Sequence, residues 1–275
     1  MSSAANFGRS GNGSPVMEQW TPKAVEPGEC LHWQIGPLKL WIRRVGDEVQ
    51  IATDRLPEDE DTLTVAEPSA DAEGEDRTWK RWAVAARHKD IQLLPVMPDR
   101  PVIARPESDF VIPAGEEALF FVNLPVWVRV TAGEKRSVTL CEIPSIKLSK
   151  SWFGDEISGQ LCYALHTLAR RSLEDVPLRP HRAVCPIRNV AREQLEFERL
   201  CLHVDHLKIF RGRDRLWTNQ VTVTYRGEDQ LTQIDFSTGP PTMGGPKELF
   251  SDARVPRDQG LLGRTFAGLR ALGGF

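Results

Sequence analysis

No two of the five cysteines stand two residues apart, so the chain has neither the paired ligands of a zinc ribbon nor a thioredoxin-like redox motif. The standard phosphate loops are missing too. Gly244-Gly245-Pro246-Lys247 lacks the spacing and the Ser/Thr of a Walker A loop, and Gly11-Asn12-Gly13 follows no strand. There is no GxSxG elbow and no HExxH helix. A net charge of −3 gives no general attraction to nucleic acid or an anionic membrane. The most apolar stretch, Leu119–Val130, is about a dozen residues long and holds Asn123, Pro125 and Arg129; a helical span needs roughly 20. Met1–Pro15 is small and polar, without the apolar core of a secretory leader. These absences point to a cytoplasmic chain with no membrane span, no nucleic-acid partner and no cofactor. Cys30, Cys141, Cys162, Cys185 and Cys201, several flanked by apolar residues, read as buried, reduced thiols.

What is present is β patterning. Leu31, Trp33 and Ile35 share one face, Gly36-Pro37 interrupts, and Leu38, Leu40 and Ile42 share the next. Gly46-Asp47 is a hairpin turn that returns the chain through Val49 and Ile51. Strands are also predicted over Trp79–Ala86, Ile91–Met97, Phe110–Ile112, Leu119–Thr131 and Ser137–Ile146. Prolines 95, 98, 101, 106 and 113 exclude a long helix between them. A second strand-rich unit runs from Cys185 to Phe236, with Val221, Val223 and Tyr225 in strict alternation. The echo between Leu38-Lys39-Leu40-Trp41 and Leu207-Lys208-Ile209-Phe210 is open to two explanations, an internal duplication or shared strand chemistry.

The expected organisation is a disordered tail (1–18), a first β unit (19–146), a connector (147–184), a second β unit (185–237) and a Gly/Pro linker with an amphipathic tail (238–275). Pro57–Asp76 carries nine acids and no base and reads as a solvated loop. Tyr163–Ser172 is predicted as a short helix. Over Gly260–Phe275, Leu261, Leu262, Thr265, Phe266, Leu269 and Leu272 fall in one helical stripe, weakened by the nearby Gly263, Gly268 and Gly273. Such a tail is expected to dock, either on its own sheet or on a partner.

Three groups of residues carry candidate chemistry. His203, Asp205 and His206 are competent metal ligands. In a regular strand, however, the two imidazoles point to opposite faces, which predicts no bound metal. Arg170, Arg171, Arg179, His181, Arg182 and Arg188 form the one sustained basic region, without central aromatic partners for nucleic-acid stacking. It reads as a solvated loop or as a partner for the acidic Pro57–Asp76 segment. The eight tryptophans read mainly as core, with Trp152-Phe153 in a turn as the pair most suited to binding.

Ile35-Gly36-Pro37-Leu38-Lys39-Leu40-Trp41, Pro98-Asp99-Arg100-Pro101-Val102, Trp152-Phe153-Gly154-Asp155, Cys185-Pro186-Ile187-Arg188-Asn189 and Leu216-Trp217-Thr218-Asn219 together resemble the uncharacterised prokaryotic family called domain of unknown function 432. The resemblance covers roughly residues 31–240. It implies no activity; it implies an association with small-conductance mechanosensitive channels.

The fold expected is mainly β, with two closely packed antiparallel β units forming sandwiches, or an incomplete barrel, and little helix. Three functions fit. A non-catalytic module that binds or assembles with another protein, through Trp152, Phe153, Leu262, Phe266 and Leu269, is favoured by the missing motifs. A metal-dependent enzyme at His203/Asp205/His206 and a small-ligand binder with an aromatic pocket are the alternatives.

Overall fold

The computed structural model describes residues 18–69, 77–85, 88–133, 137–154, 156–157, 159–166, 168–227, 232–256 and, as backbone, 261–263. The expected disordered tail therefore lies, apart from Glu18, outside the described residues. The chain is mainly β: several antiparallel sheets packed together, with helix nearly absent among the described residues.

The first sheet follows from the period-2 pattern. Strands Cys30–Ile35, Leu38–Val45 and Glu48–Arg55 form consecutive hairpins, with Ile35 opposite Leu38 and Val45 opposite Glu48. Both two-residue turns begin with a glycine in the left-handed region, Gly36 at φ +58° and Gly46 at φ +56°. Trp33, Ile35, Leu38, Leu40 and Ile42 are fully buried. Leu63–Pro68 pairs with Cys30–Ile35, and Lys80–Ala83 with Glu48–Arg55. The acidic segment is thus not a loop throughout: the uncharged run Leu63–Ala66 within it supplies most of an edge strand, where its side chains need only half-burial.

A second sheet, Lys23–Ala24, Asp90–Val96, Trp127–Ala132 and Val138–Pro144, is antiparallel throughout. The predicted strand Leu119–Thr131 is broken at Val126 into Glu117–Pro125 and Trp127–Ala132, which join different sheets.

The largest sheet is organised by Arg182–Ala191. One of its edges pairs antiparallel with Glu117–Pro125 over nine residue pairs. Its other edge is shared end to end by Leu216–Thr218, parallel at Ala183 and Val184, and Val221–Tyr225, parallel from Ile187 to Ala191. Pro186 sits in the middle of this central strand, where proline is normally excluded for want of an N–H. Its tolerance has a geometric cause. Phe121, opposite Pro186, directs its N–H and C=O away to Arg170, at 2.8 and 2.9 Å, so the pair is of the non-hydrogen-bonded kind. The edge of Pro186 that lacks a donor therefore faces the gap between Leu216–Thr218 and Val221–Tyr225, where no ladder bond is required.

Val102–Ala104 is flanked by Gln160–Ala164, in parallel, and by Leu200–Leu202. Phe110–Ile112 pairs with Leu195–Phe197 alone. One apolar cluster runs through these sheets from Trp20 to Ile234, and Phe110, Phe120 and Phe197 stack in it with centroids 4.9–5.3 Å apart.

One predicted helix is corrected, and a second at its start. Residues 163–164 end the strand Gln160–Ala164, and the chain beyond makes isolated bridges at Ala169 and Arg170, because Ala169 donates to the Arg105 carbonyl and accepts from Glu107 N–H while Arg170 exchanges both bonds with Phe121. In the tail, Leu261–Gly263 is a strand on Thr232–Phe236, with Leu261 opposite Ile234. An open sheet edge accepts these residues, whereas Gly263 disfavours helix. The rest of the stripe, including Phe266 and Leu269, lies outside the described residues. The Gly/Pro linker also holds a strand, Glu248–Ser251, paired with Ile209–Arg211.

The His181 ring fills the space under the Gly36 turn. A Cβ at Gly36 would collide with it, whereas one at Gly46 meets nothing within 4 Å. Gly36→Ala is therefore expected to cost more than the ~1 kcal/mol that the left-handed backbone alone imposes on Gly46→Ala, a difference that urea unfolding of the two variants measures. His181 is buried beside Arg182 and Arg179, and burial first, then those charges, push its pKa down from 6.5 to about 3. The folded state thus refuses a proton that the unfolded chain takes below pH 6.5. Stability contributed by neutral His181 is complete above that pH and is lost as pH falls toward 3, by about 1.4 kcal/mol per pH unit. Unfolding measured between pH 7 and 4.5 should show this slope in the wild type and its loss in His181→Gln.

Candidate functional site

Two places in the fold bring chemistry together. The first is the turn after Leu200–Leu202. That strand is buried throughout, and Val204, with no exposed surface, anchors the chain as it leaves the sheet. Val204–His206 is a 3-10 turn, closed by His206 N–H donating to the His203 carbonyl at 3.3 Å and Leu207 N–H to that of Val204 at 3.0 Å. Residues three apart eclipse in such a turn. The His203 and His206 rings accordingly stack, with centroids 6.3 Å apart and planes at 27°. The strand alternation that separated the two imidazoles does not apply here, because the strand ends at Leu202. One ligand atom from each of His203, Asp205 and His206 lies within 4.8 Å of the others.

The turn is held from outside. His206 Nδ1 is 2.7 Å from the Val255 carbonyl, which can only accept, so Nδ1 carries the proton and Nε2 the lone pair. Val255 N–H in turn donates to the Asp205 carbonyl at 3.0 Å. Asp205 Oδ2 lies 3.9 Å from His206 Nε2, and Oδ1 is shielded from solvent without a hydrogen-bond partner among the described residues. The Gln160 amide nitrogen is 3.4 Å from His203 Nε2 and 3.4 Å from Cys201 Sγ. Cys201 and Cys162 Sγ are 3.6 Å apart. The bond Cys201 gives to Cys162, and then burial, push the Cys201 thiol up, while the same bond lowers Cys162.

The second place is a groove of about 520 Å³ between Pro106–Pro113 and Glu116–Phe120, closed at one side by Ala169, Arg171 and Asp175. Phe110 and Phe120 line it, and Arg171 lies 4.9 Å from the Phe120 ring centroid while donating to the Leu119 carbonyl at 3.2 Å. Four carboxylates stand around it. Glu107 is paired with Arg170 and Glu117 with Arg188, whereas Glu116 and Asp175 are exposed and have no ion pair among the described residues. Val111 projects outward, about half exposed.

The other expected sites disperse. The basic region is not a patch: Arg170 and Arg188 are taken by carboxylates, and His181 and Arg182 are buried. Arg179 reaches the acidic segment, 3.2 Å from Asp61 Oδ1 and 3.4 Å from the Glu58 carbonyl. Trp152 is exposed, but Phe153 is buried against Ile103, Cys162 and Cys201, because both belong to the strand Ser149–Phe153 and successive side chains point oppositely. Leu262 lies in the tail strand; Phe266 and Leu269 lie outside the described residues. Trp20, Trp33, Trp41 and Trp217 are core, and the groove is lined by phenylalanine rather than tryptophan. All five cysteines are unpaired. The groove escaped sequence reasoning because its walls come from separate segments between Pro106 and Asp175, with no motif in any of them.

No helix of the described residues is long and apolar enough to cross a membrane. No curated protein and no solved structure matches the chain. The family model described as "Protein of unknown function (DUF432)" matches residues 19–270, and the chain belongs to that family.

Proposed function

We propose that the protein is a non-catalytic binding module that receives an extended segment of a partner protein, apolar with interspersed basic residues, in the groove at Phe110 and Phe120. The observation that carries this reading is the pairing of an open, phenylalanine-lined groove with two rim carboxylates, Glu116 and Asp175, that have no ion pair among the described residues. The volume is within the usual range for a ligand site, about 300–1,000 Å³. Apolar side chains gain about 25 cal/mol per Å² on leaving water for the phenyl floor, and the rim carboxylates select basic residues beside them. The same composition, apolar beside Lys/Arg, marks the cytoplasmic flanks of membrane-spanning helices. The reading is thereby consistent with service as an accessory to a membrane channel, in the cytoplasm.

A short peptide alternating leucine and lysine, titrated by calorimetry, tests it. Binding is expected for that peptide and not for one alternating leucine and glutamate. Glu116→Lys/Asp175→Lys should weaken binding at least about fivefold, since each exposed pair contributes roughly 0.2–1 kcal/mol and reversal adds repulsion. Melting should be unchanged, because neither carboxylate holds the fold. Equal affinity for both peptides, or unaltered affinity in the double variant, contradicts the proposal.

A further inference from the structure

We propose that His203, Asp205 and His206 bind one divalent transition ion, with zinc as the reference, at a structural site that fastens their turn to the segment around Val255. The donor set of two imidazoles and a carboxylate suits zinc and its neighbours and not magnesium or calcium, which take oxygen ligands.

Three observations meet at this point. First, the turn geometry gathers one donor atom from each residue within 4.8 Å. Donor atoms around a single tetrahedral zinc lie roughly 3.4 Å apart, given metal–ligand bonds of about 2.0–2.2 Å. Small side-chain rotations close that difference. Second, the His206 ring is already oriented as a ligand. Its Nδ1–H is held by the Val255 carbonyl at 2.7 Å, which leaves Nε2 to coordinate and turns it toward Asp205. A backbone carbonyl on the distal ring nitrogen is the usual support of a metal-bound imidazole. Third, Asp205 Oδ1 is shielded from solvent and has no hydrogen-bond donor among the described residues. A buried anionic oxygen without a partner is costly, and a cation between it and the two rings supplies the missing interaction.

The surroundings argue for a structural ion. The depression beside the turn, lined by Leu207, Val221, Val223, Ile234 and Phe236, leaves no room for a bound small molecule. The segment that follows is tied across the molecule, since Arg254 donates to the Met97 carbonyl and to Glu142, each at 2.6 Å. An ion on His206 and Asp205 therefore holds both ends of the exchange with Val255.

The test is a zinc titration of the metal-stripped full chain against a chromophoric chelator, with melting followed in parallel. One zinc per chain and a raised melting temperature are expected; magnesium should raise nothing. Loss even of an outer partner of a ligand costs about 10–100-fold in affinity, so His203→Ala and Asp205→Asn should each weaken zinc binding at least about tenfold and remove the thermal shift. Asp205→Asn keeps the shape of the side chain, and the wild-type stoichiometry is read without any variant. The Glu116→Lys/Asp175→Lys chain should bind zinc as the wild type does, which separates this claim from the groove reading. Absence of micromolar zinc binding by the wild type, or binding and stabilisation that persist in both variants, overturns the proposal.

Discussion

The strand Arg182–Ala191 is paired along both of its edges, on one over nine consecutive residue pairs and on the other with a single gap at Cys185 and Pro186, and the rest of the molecule is arranged around it. A buried strand must place every N–H and C=O on a neighbour. Here one side is answered by nine residues of Glu117–Pro125, and the other by two short strands laid end to end. Eight of its ten residues are buried, including Ala183, Cys185, Ile187 and Ala191 of the main core. Burial on both faces explains why the sequence reads there as a near-continuous run rather than an alternation. It also holds Arg182 and Asn189 in the interior.

Both functional places stand on the flanks of this strand. Glu117, Ala118 and Phe120, from the partner on one edge, line the groove. Val221 and Val223, from the partner on the other edge, back the His203–His206 turn. The groove has a rigid floor because Phe110, Phe120 and Phe197 pack mutually, each in contact with the other two, while its rim of Glu116, Val111 and Asp175 stays exposed. The turn has the opposite character: it is closed in by apolar side chains and braced by Val255. The two places thus differ in shape and chemistry, one an open, phenylalanine-lined surface and the other an enclosed polar turn.

The hairpins Cys30–Arg55 were legible because alternation and the Gly46-Asp47 turn are local signals, and the structure reproduces their faces. What misled was local as well. Acidity at Glu58–Asp61 masked the strand Leu63–Pro68, and the second unit was begun at Cys185, inside the strand Arg182–Ala191, whose tolerance of Pro186 depends on bonds between Phe121 and Arg170. The His203/Asp205/His206 cluster was visible as composition, but its convergence was not. Nothing in the sequence says that the strand stops at Leu202 and a 3-10 turn begins. The salt link from Arg179 to Asp61 was foreseeable from charge alone, since one basic and one acidic segment stood unmatched. The groove was not, because its floor exists only once Phe110, Phe120 and Phe197 meet.

One strand positioning both places is the central claim, and site-resolved amide exchange tests it most directly. The amides of Arg182–Ala191 that donate to Glu117–Pro125 and to Val221–Tyr225 should be the slowest in the chain and should open together, with a free energy equal to that of global unfolding. Exchange that is faster on one edge than the other, through an opening that leaves the rest of the sheet intact, would contradict the account.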